Sequence, residues 1–564
     1  MGGSVRSRRL VVSAALIAAG AGLIPAMAHA ADPVKPAANR VAASAADLDK
    51  AAASSKQKFT SPADRTVRRS LSGAQDKAAT AQAQGAAVGN PDLAIVLNAA
   101  TETAHGLTLN TEVISAPASL AVTIEWGDGK KDTTTVGGST TLTNQHTYAE
   151  LGEYTVKVTV KDTANQTEVV NDFQILTAGS DFTPYGPTRL LDTRSGIGAA
   201  KGKVPARGTA HLKVGGNGGI PAGVTAVVLN VTATNTSEAG HVTVFGSGHK
   251  QPITSNVNFE AGQTVPNLVI VPVGKDGYVE LFNGGWQSID LLADVTGYFT
   301  RSASSGYASL TPTRFVDSRD GLGTAKGQVA GQAVFSTQIS GLRGVPAGVS
   351  AVALNVTVTN PRETGHLTVF PSGQSAPSTS SVNFTAGQTV ANSVIVPVGA
   401  DGKISVRNGA WAGTDVIVDV VGYYSQSGNG AYMPVSPGRL MDSRDPESPI
   451  YGELPGRMYF ALEMPGFEAG IAGYVLNTTV TNTQGAGFLS VAPDPNRIED
   501  YWEEDANPIN PARPTASTLN WTAGKTVPNL VQAGTGPYGV VDFWNQGWEP
   551  TDLIVDMFGY YDTK

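Results

Sequence analysis

The sequence predicts an all-β protein whose larger part consists of three tandem β-sandwich repeats, of the jelly-roll or a related type. A block that begins with Arg-Leu-Leu-Asp-Thr-Arg at Arg189 begins again at Arg314 and at Arg439, each time after 125 residues. Each block contains eight short apolar segments separated by Gly, Pro and Asn. Only 15% of the residues are charged, and 65 Gly and 33 Pro supply many turns. The period is far longer than a solenoid unit, so a whole domain is repeated.

The first 30 residues have the features of a secretory signal peptide. Three arginines, Arg6, Arg8 and Arg9, precede an apolar run. The run extends from Leu10 to Ile24, and a small-residue cleavage site follows at Ala28-His29-Ala30. Removal of this segment changes the net charge from −8 to −11, because it holds three arginines and no other charge. No later apolar run approaches the ~20 residues of a membrane-spanning helix, so we expect a secreted, acidic protein without a membrane segment.

Residues 31–88 are predicted to form a disordered spacer. They are rich in Ala, Ser, Gln and Lys, and Phe59 is the one aromatic residue among them. This composition offers too little apolar surface to offset the conformational entropy that is lost on folding. Arg65, Arg68 and Arg69 are interpreted as solvated charges, with a binding patch as the alternative.

Residues 89–179 are predicted to form a separate β domain. Tyr154 to Val160 alternates strictly between apolar and polar residues, which is typical of a half-buried antiparallel strand. Trp126-Gly-Asp-Gly129 marks a turn, and His146 and Tyr148 lie between this turn and the strand. The combined motif resembles the polycystic-kidney-disease (PKD) domain. The resemblance implies an immunoglobulin-like sandwich of about seven strands that serves as a spacer or an accessory adhesion module, without catalysis.

The three repeated blocks are predicted to be separate domains joined by short Ser/Gly linkers of about six residues. In the first block we expect strands at 188–193, 209–214, 224–234, 240–245, 254–259, 267–273, 277–282 and 288–298. The predicted domain bounds are 181–300, 306–424 and 431–562. The shared motifs, such as Val-x-Asp-Val-x-Gly-Tyr-Phe at the end of a block, resemble a repeat of secreted actinobacterial proteins. That resemblance implies a location outside the cell, and cell-surface association is a further expectation.

A tryptophan lies in a Gly-rich turn before the last strand of each block. Strand alternation places this indole on the same face as an aspartate four residues later. An indole that stacks on a sugar ring beside carboxylates that accept hydrogen bonds is typical of a carbohydrate site. The structural alternative is that the tryptophan fills the end of the sandwich while the aspartates bind arginines or cap turns. The ligand-binding residues predicted in this way are Trp286, Asp290, Trp411, Asp415, Trp548 and Asp552.

The opening motif of each block is predicted to be a structural ion-pair network. Its Asp and second Arg lie two residues apart on one face, and the planar guanidinium fork suits a carboxylate. A calcium site is the alternative, but the adjacent arginine disfavours a cation and no calcium-loop sequence is present. The network residues are Arg189, Asp192, Arg194, Arg314, Asp317, Arg319, Arg439, Asp442 and Arg444.

No catalytic motif, metal site or cofactor is predicted. The chain lacks Cys, the Gly-x-Ser-x-Gly elbow and the His-Glu-x-x-His motif. His241 and His366 are equivalent, but the third block has Phe488 at that position, so a base would be missing there. The acidic net charge gives no electrostatic reason to bind nucleic acid.

Two features of the blocks have open alternatives. The third block carries about 15 additional residues near 493–514, which form either a solvated acidic loop or a loop that binds a partner. Asn230, Asn355, Asn477 and Asn520 fit the N-glycosylation pattern, but we interpret them as buried side chains that satisfy backbone groups.

The combined observations favour a secreted, non-enzymatic, multivalent binding or adhesion protein for a carbohydrate or cell-wall polymer. Three weak sites could together give useful avidity. A structural extracellular protein without a specific ligand is the second hypothesis, and an accessory or cryptic hydrolase is the third.

Overall fold

The computed structural model describes residues 10–11, 57–71, 89–101, 103–465, 470–501 and 507–563. The predicted signal peptide, apart from Leu10–Val11, and most of the predicted spacer lie outside these residues. The described residues belong to two compact units, of which one includes Ala28–Gly179 and the other Ser180–Asp562. Regular structure is almost entirely β, with short 3₁₀ turns at Ala63–Arg65 and Glu499–Tyr501. No helix in the described part of the chain has the length and apolar character to cross a membrane.

Ten strands precede the repeated blocks. They are β1 (Leu10–Val11), β2 (Lys58–Ser61), β3 (Val67–Ser70), β4 (Ala94–Thr101), β5 (Gly106–Ile114), β6 (Leu120–Glu125), β7 (Lys131–Val136), β8 (Thr140–Thr147), β9 (Glu153–Asp162) and β10 (Thr167–Leu176).

The unit that includes Ala28–Gly179 is a sandwich of two antiparallel sheets, with strand orders β3-β10-β9-β6-β7 and β2-β4-β5-β8. The predicted alternation in β9 is confirmed, since Val156, Val158 and Val160 are fully buried. The motif residues pack together. The imidazole of His146 stacks on the indole of Trp126 at 4.6 Å and lies 3.0 Å from a carboxylate oxygen of Asp128. These side chains therefore stabilise the sandwich.

Residues 57–71 correct the prediction of a disordered spacer. Strand β2 pairs with β4, and β3 pairs with β10. The ring of Phe59 stacks on Phe173 at 5.5 Å, and the Ser61 hydroxyl donates to Asn171 at 2.6 Å. Composition is a poor guide here because the two sheet edges supply backbone partners that a polar segment can use.

The three copies of the block contain eight strands each. Copy 1 has β11 (Asp181–Asp192), β12 (Thr209–Lys213), β13 (Ala226–Thr234), β14 (Gly240–Gly246), β15 (Val257–Phe259), β16 (Val265–Pro272), β17 (Tyr278–Asn283) and β18 (Asp290–Thr300). Copy 2 has β19 (Gly306–Asp317), β20 (Val334–Gln338), β21 (Ala351–Thr359), β22 (Gly365–Pro371), β23 (Val382–Phe384), β24 (Val390–Pro397), β25 (Lys403–Asn408) and β26 (Asp415–Ser425). Copy 3 has β27 (Gly430–Asp442), β28 (Tyr459–Glu463), β29 (Ile471–Thr481), β30 (Gly487–Pro493), β31 (Leu519–Trp521), β32 (Val527–Ala533), β33 (Val540–Asn545) and β34 (Asp552–Thr563).

Each copy is a β-sandwich, as the sequence predicts, and its strand order is that of a jelly roll. In copy 1 the inner sheet has the order β11-β18-β13-β16 and the outer sheet the order β12-β17-β14-β15. Copies 2 and 3 repeat both orders, and a pairing between Tyr307 and Gly430 joins their inner sheets into one sheet of eight strands. The two-residue strand β1 pairs in parallel with β28 at the edge of the outer sheet of copy 3. A core of buried Val, Leu and Ile fills each sandwich.

A fourth core is shared by all three copies. It contains seven buried aromatic rings, two from copy 1, two from copy 2 and three from copy 3. Each copy packs one ring against a ring of the next copy, and the third pair joins copy 3 to copy 1. The pairs are Phe182 with Tyr424 at 4.1 Å, Tyr307 with Tyr561 at 4.1 Å, and Tyr432 with Phe299 at 4.3 Å.

A ring of asparagines closes the same assembly. At the junction of copies 1 and 2, the side chain of Asn392 donates to Oδ1 of Asn230 at 3.0 Å and accepts from the backbone N–H of Leu268 at 3.3 Å. The other two junctions repeat both bonds, so the head-to-tail contact closes after three copies. The equivalent side-chain pairs are Asn529 with Asn355 at 3.1 Å and Asn267 with Asn477 at 3.0 Å.

The prediction of separate domains on flexible linkers is therefore wrong. Ser305, in the first predicted linker, pairs with Phe182, and Gly306 pairs with Ser425. Sequence reasoning missed this arrangement because the contacts that decide it join residues more than a hundred positions apart. The interpretation of Asn230, Asn355 and Asn477 as buried side chains that satisfy backbone groups is confirmed, since each donates to a backbone carbonyl of a neighbouring copy.

Candidate functional site

The opening motif of each copy lies inside an ion-pair network. The guanidinium of Arg189 donates twice to Asp294, at 2.7 and 3.0 Å, and Arg194 donates twice to Asp192, at 2.9 and 2.7 Å. Arg189 also approaches Asp192 at 3.4 Å. Hydrogen bonds from Arg194 hold the pKa of Asp192 below its usual value. Copies 2 and 3 repeat the pattern with Arg314, Asp317, Arg319 and Asp419, and with Arg439, Asp442, Arg444 and Asp556.

The aspartates predicted beside the tryptophans are buried. Asp290 accepts from the hydroxyl of Thr193 at 2.9 Å and from the side chain of Asn235 at 2.7 Å, and only 5% of it is exposed. Its equivalents Asp415 and Asp552 bind a serine hydroxyl and an asparagine in the same way. The prediction that a ligand on the indole finds free carboxylates here needs correction. Asp290, Asp415 and Asp552 anchor the opening motif to the last strand.

The three tryptophans lie at the protein surface. Trp286, Trp411 and Trp548 are 74%, 83% and 79% exposed. The alternative that they fill the ends of the sandwiches is therefore wrong. Burial of an indole is strongly favourable, so three exposed indoles at equivalent positions need an explanation other than stability.

A buried asparagine fixes the backbone of each tryptophan turn, by which we mean residues 284–289, 409–414 and 546–551. The side chain of Asn408 donates to the carbonyls of Val329, Ala330 and Ala412 at 3.0, 3.2 and 2.9 Å, and its oxygen accepts from the N–H of Ala410 at 3.0 Å. Asn283 and Asn545 occupy the equivalent positions and are also fully buried. The turn is thus preorganised without any contribution from the exposed indole.

A long polar residue with a left-handed backbone lies against each turn. Arg207, Gln332 and Arg457 have φ angles of 56°, 60° and 63°. Their side chains donate to a carbonyl at the start of the turn, at 2.9, 2.8 and 2.9 Å. A left-handed conformation costs a non-glycine residue about 1 kcal/mol or more. Its recurrence in three copies indicates that the position of this side chain matters.

Sequence reasoning missed these three residues. They lie near Pro or Gly in an irregular segment, and no local pattern distinguishes them from other turn residues. Only the contact between this segment and the tryptophan turn reveals them. The equivalent histidines His241 and His366 lie directly beneath the first residue of their turns. At Gly284 the space is so small that an added Cβ would lie 2.1 Å from the imidazole of His241. Burial and the nearby Arg207 lower the pKa of His241.

The insertion of copy 3 covers the outer sheet of that copy. Its residue Ile498 is buried, and Tyr501 packs on Tyr459. The fully solvated interpretation is therefore wrong for the described part of the insertion, while residues 502–506 lie outside the described chain.

Two buried carboxyl groups meet beneath this insertion. Asp494 accepts from the Tyr501 hydroxyl at 2.6 Å, and the neighbouring Asp542 is completely buried. Burial together with Asp494 raises the pKa of Asp542 to about 10. Across the described residues, no group of three or more His, Asp or Glu side chains is placed to hold a metal ion.

Comparisons with known proteins give no family. No family model matches the chain, and no curated protein matches it. A carbohydrate-binding module of the β-sandwich superfamily shows 15% identity and a TM-score of 0.16, over 37% of this chain and 93% of its own. A SusE-like protein shows 11% identity and a TM-score of 0.10, over 34% and 93%. A triple jelly-roll protein of an archaeal virus turret shows 10% identity and a TM-score of 0.14, over 68% and 90%.

Proposed function

We propose that this chain is a secreted, non-enzymatic protein that binds a carbohydrate or cell-wall polymer through its three tryptophan turns. The observation that carries the proposal is the threefold presentation of an exposed indole on a turn braced by a buried asparagine. A flat aromatic surface that is held rigidly and left uncovered suits the apolar face of a sugar ring, because little conformational entropy is lost on binding.

The closed ring of copies changes how multivalency would operate. Flexible linkers would let each site search independently, whereas the shared aromatic core and the asparagine ring hold the three turns in fixed relative positions. A polymer with matching spacing would engage a second turn at a high effective concentration. We therefore expect stronger binding to an extended polymer than to its short oligomers.

The non-enzymatic part of the proposal is supported by the state of the carboxylates. The aspartates of the opening motifs and last strands are engaged by arginine, hydroxyl or amide groups. A glycosidase needs two carboxyl groups that reach the substrate, one as an acid and one as a base or nucleophile. The buried pair Asp494 and Asp542 does not reach the surface, since both residues are 0% exposed.

The proposal is tested with the triple variant Trp286→Ala/Trp411→Ala/Trp548→Ala on a panel of insoluble polysaccharides. We expect the wild type to be depleted from solution by at least one polymer, and the variant to remain in solution. Both proteins should melt at nearly the same temperature, because the indoles contribute little to the core. Equal depletion of both proteins would contradict the proposed site. Depletion of neither would favour the structural hypothesis.

A further inference from the structure

We propose that the tryptophan turns recognise an anionic glycan, meaning a polysaccharide that carries carboxylate or phosphate groups. This inference rests on the proposed function and assigns the chemical class of its ligand. It starts from arginine side chains that lie at or beside the tryptophan turns in all three copies, although the copies obtain these arginines from different positions.

In copy 1 the arginine comes from the segment that packs against the turn. The guanidinium of Arg207 lies 4.8 Å from the ring centre of Phe282 and 5.6 Å from that of Trp286. One of its N–H groups donates to the carbonyl of Gly284. Glu238 lies at the same turn and accepts from Gln287 at 3.3 Å, but it forms no ion pair with Arg207. The remaining N–H groups of Arg207 have no carboxylate partner in the described structure.

Copy 3 places two arginines at its turn. Arg457 lies 4.9 Å from the ring centre of Trp548, and Arg513, which the insertion supplies, lies 5.4 Å from that of Trp544. Arg513 donates to the backbone carbonyl of Arg457 at 2.6 Å. Burial and the positive charge of Arg457 lower the pKa of Arg513. Two adjacent guanidinium groups without a carboxylate repel each other, and a bound anion would relieve this repulsion.

Copy 2 has Gln332 at the position of Arg207 and Arg457, yet it still presents a guanidinium. Arg407 lies on β25, two residues before the turn begins, and its side chain donates to the amide oxygen of Gln332, which itself donates to the turn carbonyl of Gly409. It occupies the strand position that Phe282 and Trp544 hold in the other copies. Copy 2 thus lacks the arginine at position 332 but has one at position 407. Packing alone does not explain this, because an apolar residue fills the same strand position elsewhere.

The arginines at these turns differ from those of the opening motifs in their ion pairs. The net charge is −8, and both arginines of every opening motif are paired with aspartates. Among the described residues, no ion pair involves Arg207, Arg407, Arg457 or Arg513. A guanidinium binds carboxylate or phosphate through two parallel hydrogen bonds, and an adjacent indole can hold the sugar ring that carries the anion. Glycans with uronate or phosphate groups combine both chemistries.

The test uses the full chain and three polymers as probes. Polygalacturonate is compared with its fully methyl-esterified form, which keeps the sugar and removes the charge, and poly(glycerol phosphate) serves as the phosphate source. We expect the wild type to bind at least one anionic polymer about tenfold or more tightly than the ester at low salt. This advantage should shrink as salt is added, because exposed charges are screened.

At positions 207 and 457 the arginine variants use glutamine, which the chain itself contains at the equivalent position 332. The quadruple variant Arg207→Gln/Arg407→Gln/Arg457→Gln/Arg513→Gln should lose the preference for the anionic polymer and keep the weaker binding to the ester. Gln332 already makes the required backbone contacts, so glutamine suits positions 207 and 457. The reciprocal variant Gln332→Arg adds a charge without removing a contact to the turn, and it should bind the anionic polymer more tightly than the wild type.

The outcomes separate this inference from the proposed function. Equal affinity of the wild type for the ester and for both anionic polymers would overturn the anionic class, and loss of that binding in the triple tryptophan variant would still support the proposed function. A preference for polygalacturonate alone identifies carboxylate as the recognised group, and a preference for poly(glycerol phosphate) alone identifies phosphate. Binding to none of these polymers would overturn the anionic class, and the panel of insoluble polysaccharides would then test the proposed function separately.

Discussion

Two asparagines of copy 2, Asn392 and Asn408, are both almost completely buried, but they have different roles. Asn392 reaches out of its own copy and binds Asn230 of copy 1. Asn408 stays within its copy and holds the turn that exposes Trp411. Buried asparagines thus stabilise both the junctions between copies and the turns that expose the tryptophans. A repeated polar motif can therefore serve assembly in one place and presentation in another, and burial alone does not distinguish the two.

The largest expected effect comes from separating the copies. Residues 306–424 produced alone would expose the rings of Tyr307 and Tyr424, together with Ala351, Ala353 and Ile395, which the full chain buries in the shared core. We expect this fragment either to associate with itself or to unfold near room temperature. Sedimentation and thermal melting measure both. A folded monomer that melts as high as the full chain would show that the junctions are dispensable.

Loss of one junction asparagine should have the next largest effect. Asn392→Ala leaves the side-chain oxygen of Asn230 and the backbone N–H of Leu268 without these partners in a buried site. We expect the free energy of unfolding to fall by about 3 kcal/mol, measured by urea denaturation. Asn258→Ala is the matched control, because Asn258 is a repeated asparagine whose side-chain oxygen has no hydrogen-bond partner in the described structure. Equal losses in both variants would contradict the assigned role of the junction.

The buried carboxyl group of Asp542 in copy 3 should make the stability of the protein depend on pH. The pKa of Asp542 is raised from 3.8 to about 10, so the folded chain keeps a proton that the unfolded chain releases above its ordinary pKa. Stability should therefore fall as the pH rises between these values, with a slope of about 1.4 kcal/mol per pH unit from this group. Asp542→Asn should remove this contribution and stabilise the protein at pH 8. Melting curves at pH 5 and pH 9 test the difference, and an unchanged slope in the variant would contradict it.

The smallest expected effect on stability is that of the exposed indoles. Trp411→Ala should change the free energy of unfolding by less than about 0.5 kcal/mol, because Trp411 is 83% exposed. Asn408→Ala, three positions earlier, should cost several times more, since it releases four hydrogen bonds of the turn. Denaturation of the two variants measures this contrast directly. If Trp411→Ala were the more damaging change, the indole would be structural.

Much of the fold could be predicted because its signals are local. Alternating residues, Gly-rich turns and the 125-residue period predict eight strands in each copy. In copy 1 the observed strands begin and end within three residues of the predicted ones, except that β11 begins at Asp181, seven residues before the predicted start. The opening motif also reveals its chemistry locally, since Asp192 and Arg194 are close in sequence and pair in the structure. Residues 57–71 show the limit of composition, because their strands depend on partners elsewhere in the chain.

The candidate site could be predicted only in part. The tryptophans were identifiable because a large aromatic residue recurs in a Gly-rich turn. Strand alternation placed them on the same face as Asp290, Asp415 and Asp552. This pairing fails because alternation holds only within a strand, and the tryptophans lie in the turns before the last strands begin. The neighbours that the structure provides are Arg207, Gln332 and Arg457, which come from a segment about 80 or 90 residues earlier in the chain.

The sequence by itself determined the strands, the threefold repetition and the local Asp–Arg pairs of the opening motifs, because each depends on alternation, spacing or neighbouring charges. Only the tertiary structure decided that the three copies close into a ring, and that the tryptophans are displayed while their aspartates are buried. Those outcomes depend on contacts such as that of Asn230 with Asn392, which are 162 residues apart in the chain. No local sequence pattern predicts a contact between residues so far apart. Such a contact contributes to the free energy of folding only after the sheets have formed and their faces are in contact.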